Sequence, residues 1–347
     1  MAKRWKHRPE GSTWGEFGED DQRGRLNLLT ADRIRAAAVE VKEGKSFCLS
    51  LPLDYPGGNA LSAQRLPPRL SATLRNNERM TFNYELRQEN PDWTDVISDD
   101  VVLMTLQYST QWDSLAHVGA LFDADGDGKP EPVYYNGYRA GEHIVGTETK
   151  PDAEPWARFE GVSANALGVE NMAESCVQGR GVMIDLHAHF GRAPKAVGYD
   201  ELMRLLDHDK IGVETGDMVC LHTGFAEMLL EMGRQPDPHL VHHACPTLDG
   251  RDKRLLQWIT ESKLAVLIAD NHAVESVPSA PGIGSHAALP LHEHCLFKLG
   301  VNLGELWHLT PLAAWLRENQ RTRFLLTAPP LRLPGAVGSP ATPVATV

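Results

Sequence analysis

The chain has no run of about 18 apolar residues, the least that spans a bilayer as a helix, so no membrane crossing is expected. No Gly-x-Gly-x-x-Gly follows a strand pattern, and no nucleotide cofactor is expected. No Gly-x-Ser-x-Gly elbow occurs, so the usual local signature of a serine hydrolase is missing. Basic residues are in deficit: 34 Lys and Arg against 46 Asp and Glu leave a net charge of −12. That balance argues against nucleic acid and against anionic membrane surfaces as partners. The five cysteines (Cys48, Cys176, Cys220, Cys245 and Cys295) never fall in a Cys-x-x-Cys spacing and read as reduced thiols, mostly in the core. The start Met1–His7 is basic, but no apolar signal-peptide core follows it, so a cytoplasmic location is expected.

What is present is an ordinary globular composition, 42% hydrophobic and 23% charged, without repeats or low-complexity linkers. Strand and helix patterns alternate irregularly, and no composition break marks a boundary. The expectation is one α/β domain over residues 1–347, with an extended polar arm over residues 1–29. Such an arm is ordered only by lying on the body or on a second subunit, which points to a homodimer or larger homo-oligomer. Thr30 caps a predicted helix from about Ala31 to Glu43, which Gly44 stops. Residues 54–98 are rich in Pro, Asn and Arg and weakly periodic, a loop long enough to suggest function. Strands are expected at 101–108, 181–186, 217–221, 264–270 and 324–327. Helices are expected near 199–209, 225–232, 251–263 and 310–319, the last opened by Thr310-Pro311.

The most informative stretch is Gln107-Tyr108-Ser109-Thr110-Gln111-Trp112-Asp113-Ser114-Leu115-Ala116-His117. On a strand, residues two apart share a face, which would align Gln107, Ser109, Gln111 and Asp113. Trp112 beside them, and His222 at the end of the 217–221 strand, are read as pocket wall; for His222 a structural turn is the alternative. Asp123-Ala-Asp125-Gly-Asp127-Gly128 imitates a calcium loop, but Tyr134 stands where the bidentate Glu belongs, so a solvated acidic turn is expected. His187-Ala-His189 and His242-His243 read as surface or structural histidines.

The Gln107–His117 stretch resembles the signature His-x-Gly-Thr-His-x-Asp-x-Pro-x-His of the cyclase family that includes bacterial kynurenine formamidases and isatin hydrolases. Thr110, Asp113 and His117 match; Gln107, Ser109, Gln111 and Leu115 do not. His292 and the run Gly300-Val-Asn-Leu-Gly-Glu305 resemble a second family block, with Glu293 or His294 in place of His292 if the register slips. Asp270-Asn271, Ala273-Val-Glu275 and the Ala328–Pro340 ending are also similar.

The resemblance implies the family's swivelling β/β/α fold with a mixed sheet. It also implies a divalent-metal shell of Gln107, Gln111, Asp113, His292 and Glu305, with glutamine where the family has two histidines. An amide oxygen is a weak, hard ligand, so manganese should suit the set better than zinc. On a straight strand Gln107 and Gln111 stand about 13 Å apart, and share one ion only if the chain bends. By the same resemblance His117 is the general acid/base, held by Asp113 or Glu305, since imidazole titrates near neutrality. Gln107, Gln111, Trp112 and His222 would hold a small-molecule substrate. The activity implied is hydrolysis or cyclisation of a lactone, lactam or formamide. The alternatives are a metal-independent lyase, isomerase or cyclase in the same pocket, and a non-catalytic binder of small molecules.

Overall fold

The computed structural model describes residues 4–146 and 161–347; Met1–Lys3 of the basic start lie outside the described residues. Eleven strands matter for the site: β1 (Ser46–Cys48), β2 (Arg69–Ala72), β3 (Asp100–Leu103), β4 (Gln111–Asp113), β5 (Gln178–Asp185), β6 (Met218–His222), β7 (Val266–Ala269), β8 (Asn302–Glu305), β9 (Arg323–Thr327), β10 (Gly338–Pro340) and β11 (Val344–Thr346). The helices used below are α1 (Ala31–Ala38), α2 (Tyr199–His208), α3 (Lys253–Ser262) and α4 (Thr310–Glu318).

Nine of these strands form one mixed sheet in the order β1-β11-β9-β5-β6-β7-β8-β4-β10. Strands β5 to β8 run parallel, and antiparallel strands extend the sheet on both sides. Parallel strands covered on both faces must be apolar throughout, which is why the 264–270 run reads so clearly. Val182, Ile184, Val219, Leu221, Leu267, Ala269 and Leu303 face α2 and α3. Met183, Met218, Cys220, Val266 and Ile268 face α4, where Trp112 and Trp307 also pack. The mixed-sheet α/β arrangement expected from the sequence is the one observed. Among the described residues no helix is long and apolar enough to cross a membrane.

Helix capping follows local chemistry. Asp252 accepts from the Arg254 and Leu255 amides at the start of α3 and from the Tyr199 amide at the start of α2, so one carboxylate caps two helices. Burial works against its charge, but those three backbone donors outweigh it and lower its pKa. The carboxylate therefore stabilises the fold above the unfolded-state pKa near 4, and the benefit fades as pH falls through the lowered folded value. Asp252→Ala is expected to lose about 1–2 kcal/mol at neutral pH, and the gap to wild type should close in acid urea titrations.

Several sequence expectations shift. Helix α1 ends at Ala38 rather than Glu43, because the amides of Glu43 and Gly44 bond the Val347 carbonyl beside β11. The predicted strand 101–108 is only Asp100–Leu103, paired with Arg69–Ala72 in a two-stranded ribbon apart from the main sheet. The chain then turns, with the Tyr108 amide on the Thr105 carbonyl, before β4 begins. The N-terminal arm lies on its own chain. Trp14 is fully buried and donates to the Phe297 carbonyl at 2.7 Å. Gly24 and Gly300, both at positive φ, let the two backbones touch where a Cβ would collide.

Candidate functional site

The turn at 105–108 and the short strand β4 replace the straight strand expected through Gln107. Gln111 and Asp113 share a face of β4, and register puts Gln111 opposite Glu305 and Asp113 opposite Leu303. Gln111 Nε2 donates to Glu305 Oε2 at 3.1 Å and lies 3.3 Å from Asp113 Oδ1. His292 joins from a helix that starts at Pro290 and continues as a π-helix, with Nε2 3.3 Å from Glu305 Oε1. Glu275 fixes that ring: it accepts from His292 Nδ1 at 2.8 Å and from the amides of Leu291 and His292. The carboxylate thus caps the helix and sets the imidazole's orientation, leaving Nε2 toward the cluster. His117 sits at the edge, partly exposed, with Nε2 3.8 Å from Asp113 Oδ1.

Asp113, Glu305, Gln111 and His292 are buried, and charge is expensive there. Burial raises the Asp113 pKa, the nearby Glu305 charge adds to that, and His117 and His292 oppose it. For Glu305, burial is outweighed by the hydrogen bond and charge of His292 and by His272 and Arg65, which hold its pKa at about 2. For His292, burial is outweighed by its hydrogen bonds to Glu275 and Glu305, which raise its pKa to about 10.

Gln107 comes to the edge of the cluster. Its side-chain amide lies over Gly338, which pairs with Asp113 across the strands and so shares its face, and its backbone carbonyl accepts from Arg65 at 2.9 Å. The bend needed for Gln107 and Gln111 to approach one ion exists: it lays the Gln107 side chain across β10 on the side of Asp113. Trp112 and His222 are not brought there. Both project from the opposite face of the sheet: Trp112 is fully buried against Trp307 and bonds the Ala328 carbonyl. His222 bonds Asp185 at 2.8 Å and Thr310 Oγ1 at 3.0 Å. Alternation within a strand fixes which residues share a face, but not which face meets which neighbour.

A cavity of about 360 Å³ adjoins the cluster through His272 and Glu275, with Asn59–Gln64, Phe225, His242 and Asn271 among its walls. His272 is the imidazole that sequence reasoning passed over. Burial lowers its pKa, helped by Arg65 and His292 and opposed by Glu305. Its signal was its place just beyond the C-terminal end of a buried parallel strand, where α/β sheets gather pocket residues. The backbone there is strained: Ala273, Val274 and Leu306 all have positive φ, and a β-branched residue at φ 57° is costly. That bend lets His272 line the cavity while Glu275 reaches His292.

The residues fit a divalent cation. Ligand atoms of Asp113, His292 and Glu305 lie within 4.8 Å of one another. Asp113 Oδ2 and Gln111 Oε1 are buried without hydrogen-bond partners, two oxygens that a cation would satisfy. Asp123, Asp125 and Asp127 form another acidic group, but Asp123 spends its oxygens on the amides of Gly126, Asp127 and Gly128, as an acidic turn should.

Comparison with known proteins agrees with this architecture. The family model described as "Putative cyclase" matches residues 49–276, which include Gln107–His117 and Glu275. A solved structure described as a novel cyclase is 31% identical, covers 97% of each chain and superposes with a TM-score of 0.71. Isatin hydrolase A from Ralstonia solanacearum is 13% identical over 87% of this chain and 91% of its own, with a TM-score of 0.54. Isatin hydrolase A from Labrenzia aggregata, bound to benzyl benzoate, is 13% identical over 87% and 93%, with a TM-score of 0.51. These two share the fold. No curated protein sequence matches. The chain belongs to this cyclase family.

Proposed function

We propose that the protein hydrolyses, or closes by the reverse condensation, a C–N or C–O bond at the carbonyl of a cyclic or N-acylated small molecule such as a lactone, lactam or formamide. The observation that carries this reading is the convergence of Asp113, Gln111, Glu305 and His292, with His117 at the edge, beside a cavity of small-molecule size. Asp113, Glu305, His292 and the Gln111 amide oxygen would hold a divalent cation, manganese in preference to zinc. When bound, it supplies positive charge that polarises a carbonyl and acidifies water.

His117 acts as general base, taking the proton from water as its oxygen bonds to the carbonyl carbon. It then returns that proton to the leaving nitrogen or oxygen as the old bond breaks. Asp113 steadies the imidazolium formed in between, and Glu275 keeps His292 directed at the cluster. His272 contacts substrate at the cavity wall.

Turnover of a panel of lactones, lactams and formamides by wild type and by His117→Ala tests the reading. Equal turnover by the two would sink it. A second reading, metal-independent elimination or isomerisation, has one observation in its favour: Gln111 Nε2 already cross-links the Asp113 and Glu305 carboxylates. Activity that persists through exhaustive chelation would select it.

Cation binding has a readout separate from activity. Manganese at about 100 times its Kd should stabilise chelator-treated protein by about 2.7 kcal/mol in a thermal melt, and Asp113→Asn should abolish the shift. A melt unmoved by manganese, zinc and magnesium would exclude the site.

A further inference from the structure

We propose that Asp185, His187 and His222 form a second divalent-cation site, for a metal that favours imidazole, zinc foremost. The proposed reaction plays no part in this inference. The sequence holds these residues apart, a His-x-His pair after one strand and a single histidine ending another, and the sheet joins them. Asp185 and His222 are the last residues of β5 and β6 and stand opposite one another in the parallel register. They project on the side of the sheet that carries α4, away from Asp113 and Glu305. His187 follows in one helical turn that Asp185 caps, its Oδ1 accepting from the Ala188 amide at 3.0 Å. Ligand atoms of the three lie within 4.8 Å of one another.

The cluster leaves unsatisfied what a cation takes. Asp185 Oδ2 is buried without a hydrogen-bond partner. It meets only the Arg317 guanidinium, in an ion pair at 3.2 Å whose arginine side chain is 57% exposed and has solvent to swing into. Among the described residues neither ring nitrogen of His187 has a hydrogen-bond partner. The ring is nevertheless seated. It lies over Gly224, where a Cβ would strike its Cδ2, and Gly224 sits at φ 84°, so glycine is required there for conformation and for space. The His222 ring is buried, with its centroid 5.3 Å from that of His187. Its Nδ1 lies 2.8 Å from Asp185 Oδ1. Two neighbouring ligands on one ion, each about 2.1 Å from it, stand about 3 Å apart, so an ion replaces the shared proton with little movement.

Two imidazoles and a carboxylate are the donor set of an open zinc site, with the remaining position left to water. Calcium and magnesium, which seek oxygen, are poorly matched by it. The positive start of α4 at Thr310 works against any cation here. Asp270, with Oδ2 4.0 Å from His222 Nε2, adds a second carboxylate that offsets it. Its oxygens are engaged by the amides of Thr223 and Gly224, so it is a neighbour of the ion and not a ligand. The ion would fasten the ends of β5 and β6 beside Gly224 and Phe225, and Phe225 lines the cavity of the candidate site.

A chelator-treated full chain carrying Asp113→Asn, which removes the other cation site, should still retain one zinc per chain in equilibrium dialysis. X-ray absorption of that protein should show two imidazoles on the zinc, where the Asp113 cluster offers only His292. His187→Ala in the same background should raise the zinc Kd by roughly tenfold or more. Arg317→Gln should lower it, because the guanidinium competes for Asp185 Oδ2. Both side chains reach solvent, so neither variant threatens the fold. A folded Asp113→Asn chain that binds no zinc overturns the proposal, and if wild type still binds a cation, the Asp113 site stands alone. An unchanged Kd in His187→Ala overturns it too. So does loss of the zinc in His208→Ala, which would place the ion on the separate group of His189, His208 and Asp209.

Discussion

His117→Ala is expected to lower kcat by 10²- to 10⁴-fold on whichever lactone, lactam or formamide wild type turns over best, about 2.7–5.5 kcal/mol of transition-state stabilisation. His117 is partly exposed and 3.8 Å from Asp113, too far for a hydrogen bond in the resting arrangement. It therefore contributes little to holding the cluster together, and KM and thermal stability should change little. That split distinguishes it from His292, which is buried between Glu275 and Glu305. His292→Ala would strip a hydrogen-bond partner from both carboxylates, lowering stability along with rate. A His117→Ala enzyme with wild-type kcat, measured on substrate at saturation, would overturn the acid–base role of His117 and with it the proposed reaction.

The second large effect concerns the fold. Arg25→Ala is expected to cost about 2–4 kcal/mol in urea unfolding, because a buried charged hydrogen-bonding group leaves several carbonyls behind. The Arg25 guanidinium reaches the end of α3, donating to the carbonyls of Ile259 at 2.8 Å, Thr260 at 2.7 Å and Leu264 at 3.4 Å. Its amide also bonds the Gly300 carbonyl. Burial lowers its pKa, but arginine begins so high that the cation persists, placed against the negative end of the helix dipole. Arg25→Lys should recover only part of the loss, since one ammonium cannot span three carbonyls as a planar fork does. A loss under about 1 kcal/mol for the alanine variant would mean that the arm is fastened chiefly by Trp14.

Local chemistry was legible along much of the chain. The strand at 264–270 shows because a parallel strand covered on both sides is apolar at every position. Pro311 lies in the first turn of α4 as expected, though Leu309 rather than Thr310 stands at the cap and the Thr310 hydroxyl bonds His222 instead; the helix expected over 251–263 is observed from Lys253 to Ser262. The Gln107–His117 motif led to the right region, where Gln111, Asp113 and His117 meet and Gln107 reaches the edge over Gly338. The strand expected through residue 107 is not formed: the chain turns there to leave the ribbon, and that turn brings Gln107 over Gly338. The ribbon itself was read as loop, since its short strands lack the alternation that burial on one face imposes.

The sequence by itself determined the α/β class, the positions of most buried strands and helix ends, and the motif that marks the site. Each depends on neighbours a few residues apart: side-chain periodicity, a capping oxygen, a proline at a helix start. Only the tertiary structure decided which carboxylate meets which histidine. Gln111 meets Glu305 across 194 residues of chain, and Glu275 turns His292 toward that pair across 17. It also sent His222 and Trp112 to the far face of the sheet and seated the arm on its own body. Those outcomes depend on the order and register in which strands pair, and on how much apolar surface each face can bury. No local pattern carries that information.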